Sequence, residues 1–216
     1  MQNLKNCSNI FIDFDGVIVD SNGFKEKAIK KSIFKIKGKD NHSLEAINYF
    51  NINAGISRKR KLSLFFNDQD VSEIMKKYSY SCKSFFSEAH PTIGLKEFLE
   101  YININHRAIK MFVLSGGEIE EIKLFLKKHN LLTYFEDILS SNLPKIEHLK
   151  NKGASENDIF IGDSKNDLEA SLNCNVKFIL FEKYKSLKSF PKEELIKNKV
   201  FLRVENFKSL LKKIIE

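Results

Sequence analysis

Residues 10–20 read Ile10-Phe11-Ile12-Asp13-Phe14-Asp15-Gly16-Val17-Ile18-Val19-Asp20, an apolar run that ends by setting out two carboxylates beside a glycine. Ile10, Phe11 and Ile12 show no polar alternation, the pattern of a strand covered on both faces of a parallel sheet. Open α/β sheets bind ligands beyond the carboxyl ends of their strands, and Gly16 lets the backbone turn sharply there and approach a ligand closely. The same residues would also make an ordinary solvated turn, so the rest of the chain has to decide.

Working outward, the arrangement recurs. Lys110-Met111-Phe112-Val113-Leu114 predicts a strand that ends in Ser115-Gly116-Gly117, directly before a helix over 118–129. Such a strand-to-helix turn can offer backbone N–H groups to a phosphate, or serve simply as a helix N-cap. A strand over 158–161 runs into Gly162-Asp163-Ser164-Lys165-Asn166-Asp167, with a helix over 168–172 beginning just after. Between them lie a short strand at 137–140 and a helix opened by Pro144-Lys145, running through Lys152 and ended by Gly153. A strand over 176–181 and a terminal helix over 207–215 complete an alternating β/α pattern, so the expected class is α/β with a Rossmann-like parallel sheet.

The stretch between Asp20 and His90 breaks this alternation. Helical periodicity covers 24–37, 43–51, 57–66 and 70–87, with breaks at 38–41, 53–55 and 67–68, and no convincing strand intervenes. The domains expected are therefore a catalytic core of residues 1–20 and 90–216 and an inserted all-helical unit of residues 21–89, a separate layer or lid. Residues 95–103 predict a helix of the returning core.

Composition sets the outer bounds. With 42% hydrophobic and 30% charged residues among 216, the chain has the make-up of an ordinary folded protein. Its formal charge of +8 could serve nucleic acid, an acidic surface or a small anionic substrate. Lysines are scattered, and the densest cluster, Arg58-Lys59-Arg60-Lys61, is too short for a nucleic-acid-binding tail. No nucleic-acid partner is expected. Cys7, Cys82 and Cys174 are far apart and odd in number, which fits a reducing cytoplasm rather than a disulfide or zinc framework. No signal peptide or membrane span is visible, and a monomer or weak dimer is expected.

Parallel strands would gather Asp13, Asp15, Asp163 and Asp167 at one sheet edge. Four carboxylates in one crevice repel unless a cation is present, and oxygen-only ligation is the preference of Mg²⁺. A phosphate brought there would also meet Lys145, the Ser115 hydroxyl and the Gly116 backbone, which suit charge developing in phosphoryl transfer. An aspartate is ionised at neutral pH and can attack phosphorus itself, and Asp15 could manage the proton.

Taken together, Asp13-Phe-Asp-Gly-Val-Ile-Val-Asp20, Ser115-Gly116, Lys145 and Gly162-Asp163-x-x-x-Asp167 resemble the four motifs of the haloacid dehalogenase (HAD) superfamily, in order, from residue 10 to about 181. The resemblance implies a phosphatase of a small phosphorylated metabolite. It implies Asp13 as nucleophile, Asp15 as acid/base, Ser115, Gly116 and Lys145 as phosphate ligands, and magnesium held by Asp13, Asp163 and the Asp15 backbone carbonyl. Asp167 would sit beside the metal, through a water or by holding Lys145. Pro144-Lys145 reverses the Lys-Pro order of many relatives, and His148, one turn on, reads as a surface histidine. The insert resembles the C1 cap of the phosphoglycolate phosphatase and β-phosphoglucomutase branch. Gly55-Ile-Ser-Arg58 is similar to the mutase segment that reaches a second phosphate, which makes Arg58 a substrate-binding candidate. If Arg58 points inward, Arg60 or Lys61 could do so too, and the substrate would carry a second anionic group. A capped, solvated helix start would look the same. Lys25 stands near where the mutase has a histidine, a departure from that pattern. Alternatives are a β-phosphoglucomutase-like phosphomutase and a non-catalytic anion- or partner-binding protein.

Overall fold

The computed structural model describes residues 4–53, 56–183 and 199–215. Among these residues six strands form one sheet: β1 (Asn9–Ile12), β2 (Lys110–Leu114), β3 (Asp137–Leu139), β4 (Ile159–Gly162), β5 (Lys177–Phe181) and β6 (Leu202–Val204). Their spatial order is β3-β2-β1-β4-β5-β6, and every pairing is parallel.

Apolar runs without alternation make sense here because both sheet faces are covered. Ile10 and Ile12 of β1, Val113 of β2, Ile161 of β4 and Phe181 of β5 join one apolar cluster. Phe11, Phe112, Phe160 and Leu180, the residues of opposite parity, join the other. Each fully buried phenylalanine or isoleucine contributes about 1.5–3 kcal/mol of hydrophobic stabilisation.

On the first face lie α5 (Leu95–Asn105), α6 (Ile119–Lys128) and α9 (Phe207–Ile215); on the second lie α7 (Lys145–Asn151) and α8 (Lys165–Asn173). Between β1 and α5 the described residues form four helices, α1 (Asn22–Lys37), α2 (Asn41–Ile52), α3 (Arg58–Leu62) and α4 (Asp68–Phe86). Its outgoing and returning segments run side by side: Val19 bridges Pro91, and the Thr92 N–H donates to Ile18 O at 2.9 Å. The apolar cluster of the first sheet face continues into this insert through Phe14, Phe86 and Phe125, which meet edge to face.

Beyond shifts at helix ends, such as α8 beginning at Lys165, and a short 3-10 turn at Leu132–Tyr134, the elements differ from sequence expectation in two places. The helix expected over 57–66 ends at Leu62, because the chain turns to bury Phe66 and Asn67 then caps α4 by accepting from the Asp70 N–H at 2.9 Å. Strand β6 has no counterpart in the sequence pattern: it is three residues long with Arg203 at its centre, and it pairs only at the sheet edge, where Arg203 meets Glu182 at 3.3 Å. Gly55 and the break at 54–55 lie outside the described residues.

Candidate active site

The order of the strands reverses direction between β1 and β4, and this is where an open α/β sheet forms its crevice. Asp13 comes directly after β1 and Asp163 directly after β4. The Asp13 N–H donates to Ile161 O at 2.9 Å, and the Ser115 N–H to Leu139 O at 2.9 Å, so the ladders continue one residue past each strand. That extra rung gives both side chains a rigid seat at the sheet edge.

Asp13, Asp163 and Asp167 are buried, and one carboxylate oxygen from each lies within 4.8 Å of the other two. The Lys145 ammonium bridges two of them, at 2.6 Å from Asp13 Oδ1 and 2.5 Å from Asp167 Oδ1. Asp167 divides its work: Oδ2 accepts from the Ser164 hydroxyl at 2.7 Å and closes the reciprocal cap of α8, which leaves Oδ1 for the lysine. Asn22 Nδ2 donates to Asp163 Oδ2 at 2.7 Å. Gly16 passes so close beneath this group, at φ +80°, that a Cβ there would stand 2.2 Å from Asp163 Oδ2.

The electrostatics arise from this crowding. Burial raises the Asp13 carboxyl to about 7 despite the Lys145 ammonium, with the Asp167 and Asp15 carboxylates adding to the rise. Burial, then the Asp13 and Asp167 charges, raises Asp163 well above the usual carboxylate range. Lys145 goes the other way: burial works against its charge, but Asp13 and Asp167 outweigh it and hold the lysine cationic. The cluster is short of positive charge.

Asp15 sits apart from the three acids, half-buried. Its Oδ1 accepts from the Ser21 hydroxyl at 2.6 Å and its Oδ2 meets Lys25 Nζ at 2.5 Å. Burial pushes its carboxyl up, but the Lys25 ammonium and the Ser21 hydroxyl together hold it below the usual range. Ser21 and Asn22 begin α1 yet neither caps it, since the Ser21 hydroxyl is turned to Asp15 and the Asn22 amide to Asp163. The start of the insert is thereby wired to the crevice. Ser115 is buried, its Oγ accepting from the Gly117 N–H at 3.0 Å.

A cavity of about 400 Å³ runs from Gly116 and Lys145 in the core to Tyr49, Ser57, Arg60 and Lys61 in the insert. Arg58 does not line it. Its guanidinium instead forms a buried two-pronged pair with Glu121 on α6 and lies 4.8 Å from the centre of the Tyr78 ring. In this arrangement a core carboxylate occupies both guanidinium prongs. His148 departs from expectation: it is 6% exposed and its Nε2 lies 2.8 Å from Ser140 O, fastening α7 to the end of β3. The signal for Glu121 was present in sequence: it lies beside Ile122 and four residues before Phe125, on the apolar face of α6.

Residues 10–181 match the family model described as haloacid dehalogenase-like hydrolase. No curated protein sequence matches the chain. Among solved structures, a hydrolase from Pseudomonas syringae is similar with a TM-score of 0.76 at 18% identity, over 97% of this chain and 98% of that one. A predicted phosphoglycolate phosphatase from Haemophilus somnus gives 0.73 at 16% identity, and a predicted phosphatase from Clostridium acetobutylicum gives 0.72 at 21%, each over 97% of this chain and 98% of the other. These identities carry the fold. Among the described residues no helix is long and apolar enough to cross a membrane.

Proposed function

The chain belongs to the haloacid dehalogenase-like hydrolases, and from that premise we propose that it is a magnesium-dependent phosphatase that hydrolyses a small phosphorylated metabolite of the cytoplasm through an aspartyl-phosphate on Asp13. The observation that carries this reading is the buried Asp13–Asp163–Asp167 cluster with Lys145 bridging it at the switch point of the sheet.

The donor set fits magnesium. It is all oxygen, closely spaced and buried, and its acids are raised in pKa for want of positive charge. Asp13, Asp163 and the Asp15 carbonyl would hold the ion, with Asp167 beside it. When bound, magnesium neutralises carboxylate repulsion and draws electron density from the phosphoryl oxygens.

The rest is done by side chains. An Asp13 oxygen attacks phosphorus, the ester P–O bond breaks, and Asp15, protonated once it parts from the Lys25 ammonium that holds it ionised in this arrangement, gives a proton to the leaving oxygen. The Asp15 carboxylate then takes a proton from the water that attacks the acyl phosphate, releasing inorganic phosphate and restoring Asp13. Lys145 and the Ser115 hydroxyl bind the phosphoryl oxygens, and Asp167 keeps the Lys145 ammonium aimed at them. The helical insert acts as a cap that covers the crevice and excludes bulk water.

The test is hydrolysis of p-nitrophenyl phosphate with magnesium. Asp13→Asn and chelation should each abolish it while the fold persists. Retention of most activity by the variant would refute the nucleophile, and indifference to chelation would refute the metal.

A further inference from the structure

Two of the three clustered acids are oriented from within the core: Lys145 bridges Asp13 and Asp167, and Ser164 holds the other oxygen of Asp167. Asp163 is reached from the insert. Asn22, the first residue of α1 and 141 positions earlier in the chain, donates from Nδ2 to Asp163 Oδ2 at 2.7 Å. Gly16 makes room for this contact, since a Cβ there would stand 2.4 Å from Asn22 Nδ2 and 2.2 Å from Asp163 Oδ2. On its backbone side Asp163 is already fixed, its N–H donating to Asp167 Oδ2 at 3.3 Å.

The opening turn of α1 serves the crevice rather than its own helix end. Ser21 stands at the cap position, gives α1 no side-chain cap and donates its hydroxyl to Asp15 Oδ1 instead. Lys25, one turn on, meets Asp15 Oδ2 at 2.5 Å. A helix that begins without a cap leaves backbone N–H groups to be satisfied by other means, so this turn gives up local stability to hold Asp15 from one strand end and Asp163 from another. A carboxylate swings about its last bond, and a hydrogen bond to one oxygen fixes where the other points. Magnesium is exacting about that direction, because it demands near-ideal octahedral geometry, whereas calcium accepts irregular ligation.

We propose that Asn22 is a positioning residue of the metal site: its amide aims the Asp163 carboxylate at magnesium, and because Asn22 opens the first helix of the insert, magnesium binding and docking of the insert favour one another. The assignment rests on the magnesium reading above, which supplies the ion. Asn22 itself ligates nothing. With the insert seated, Asp163 has its donor and is set for the ion; with the insert lifted, the donor leaves and the carboxylate can turn. By the reciprocity of linked equilibria, an ion held by Asp163 stabilises the seated insert by the same factor. The metal is therefore held most tightly when the crevice is covered.

Calorimetric titration of the full chain with magnesium and, separately, with calcium tests this without turnover. Asn22→Leu keeps the bulk and removes the donor, and Asn22→Ala, which only removes atoms, takes its place should leucine disturb the fold. Loss of the donor should weaken magnesium about 10–100-fold and calcium less, so that the magnesium-to-calcium affinity ratio falls about tenfold. An unchanged magnesium affinity would overturn the positioning role, and equal losses for the two ions would overturn it too, leaving Asn22 a structural tether. Hydrogen exchange reads the coupling. Magnesium should slow exchange in α1 and α4 of the wild type and leave it nearly unchanged in the variant, and equal slowing in both would overturn the link to the insert. A wild type that binds no magnesium would sink the metal reading itself, and the role of Asn22 with it, whereas a wild type that binds it and a variant that binds it equally well would sink Asn22 alone.

Discussion

Arg58 of the helical insert and Glu121 of the core meet through two hydrogen bonds, Nη1–Oε1 at 2.8 Å and Nη2–Oε2 at 2.5 Å, with both side chains almost wholly removed from water. The partners are 63 residues apart in sequence and join two parts of the molecule that leave the sheet separately. Two charges buried together give little net stability, but stripping away one of them leaves the other uncompensated in a medium that cannot solvate it.

Glu121→Gln should therefore cost about 3–5 kcal/mol in urea unfolding, and Arg58→Met a similar amount. The double variant should recover a large part of either loss, because no charge is then left behind. Additive losses in the double variant, or single losses under about 1 kcal/mol, would mean the pair is no strap.

Lys61 makes stability depend on pH in a direction that can be worked out. Burial, then the like charges of Lys25 and Arg58, holds its folded value at about 7, below the ordinary lysine value of 10.5, so the unfolded chain binds the proton more readily. The penalty grows as pH falls through the window from 10.5 to 7 and is complete below it, by up to about 1.4 kcal/mol per pH unit within the window. Lys25, Arg58 and Asp15 act on this lysine. Lys61→Met should raise the Tm at about pH 6 by several degrees, and the gap from wild type should narrow steadily above about pH 7. A variant that melts lower than wild type in mild acid, or a constant gap, would contradict the reading.

Gly16→Ala should act on metal binding as well as stability. The added Cβ meets Asp163 Oδ2 at 2.2 Å and Asn22 Nδ2 at 2.4 Å, at a φ of +80° that alanine resists. The backbone strain alone costs about 1–3 kcal/mol, and displacement of Asp163 should weaken magnesium about 10–100-fold. The readout is the rise in Tm on adding magnesium, which should shrink in the variant. An unchanged magnesium response would show that Asp163 is not a ligand.

Much of this arrangement could be read from local sequence because strand ends are local features. Ile10-Phe11-Ile12, Met111-Phe112-Val113-Leu114 and Ile159-Phe160-Ile161 each announce a strand covered on both faces, and the residues just beyond each strand must lie at the sheet edge. Lys145, at the first turn of α7, came within reach by its motif, and the structure joins it to Asp13 and Asp167. The insert was legible only as helices. Whether Arg58, Arg60 or Lys61 turns inward depends on which core residue awaits it, and Glu121 is fixed by the packing of α6, not by anything near α3. His148 failed similarly: its burial is tied to the acceptor Ser140 O at the end of β3. Strand β6 escaped because a short edge strand with a central arginine carries no apolar run.

Asp15→Asn should separate substrates by leaving group. Loss of a positioned acid and base costs about 10²–10⁴-fold, so hydrolysis of alkyl phosphates should fall by that order. Transfer of the phosphoryl group from p-nitrophenyl phosphate to Asp13 needs no protonation of the leaving group and should persist in a single turnover. Equal losses in both first steps would remove Asp15 from the acid role.

The same variant provides the most direct measurement of the central claim, that Asp13 attacks phosphorus. With the base for the second half removed, the acyl phosphate should accumulate, and acid quenching of Asp15→Asn with magnesium and p-nitrophenyl phosphate, then peptide mass mapping, should find a phosphoryl group on Asp13. An unmodified Asp13 after a measured release of p-nitrophenolate would contradict the account.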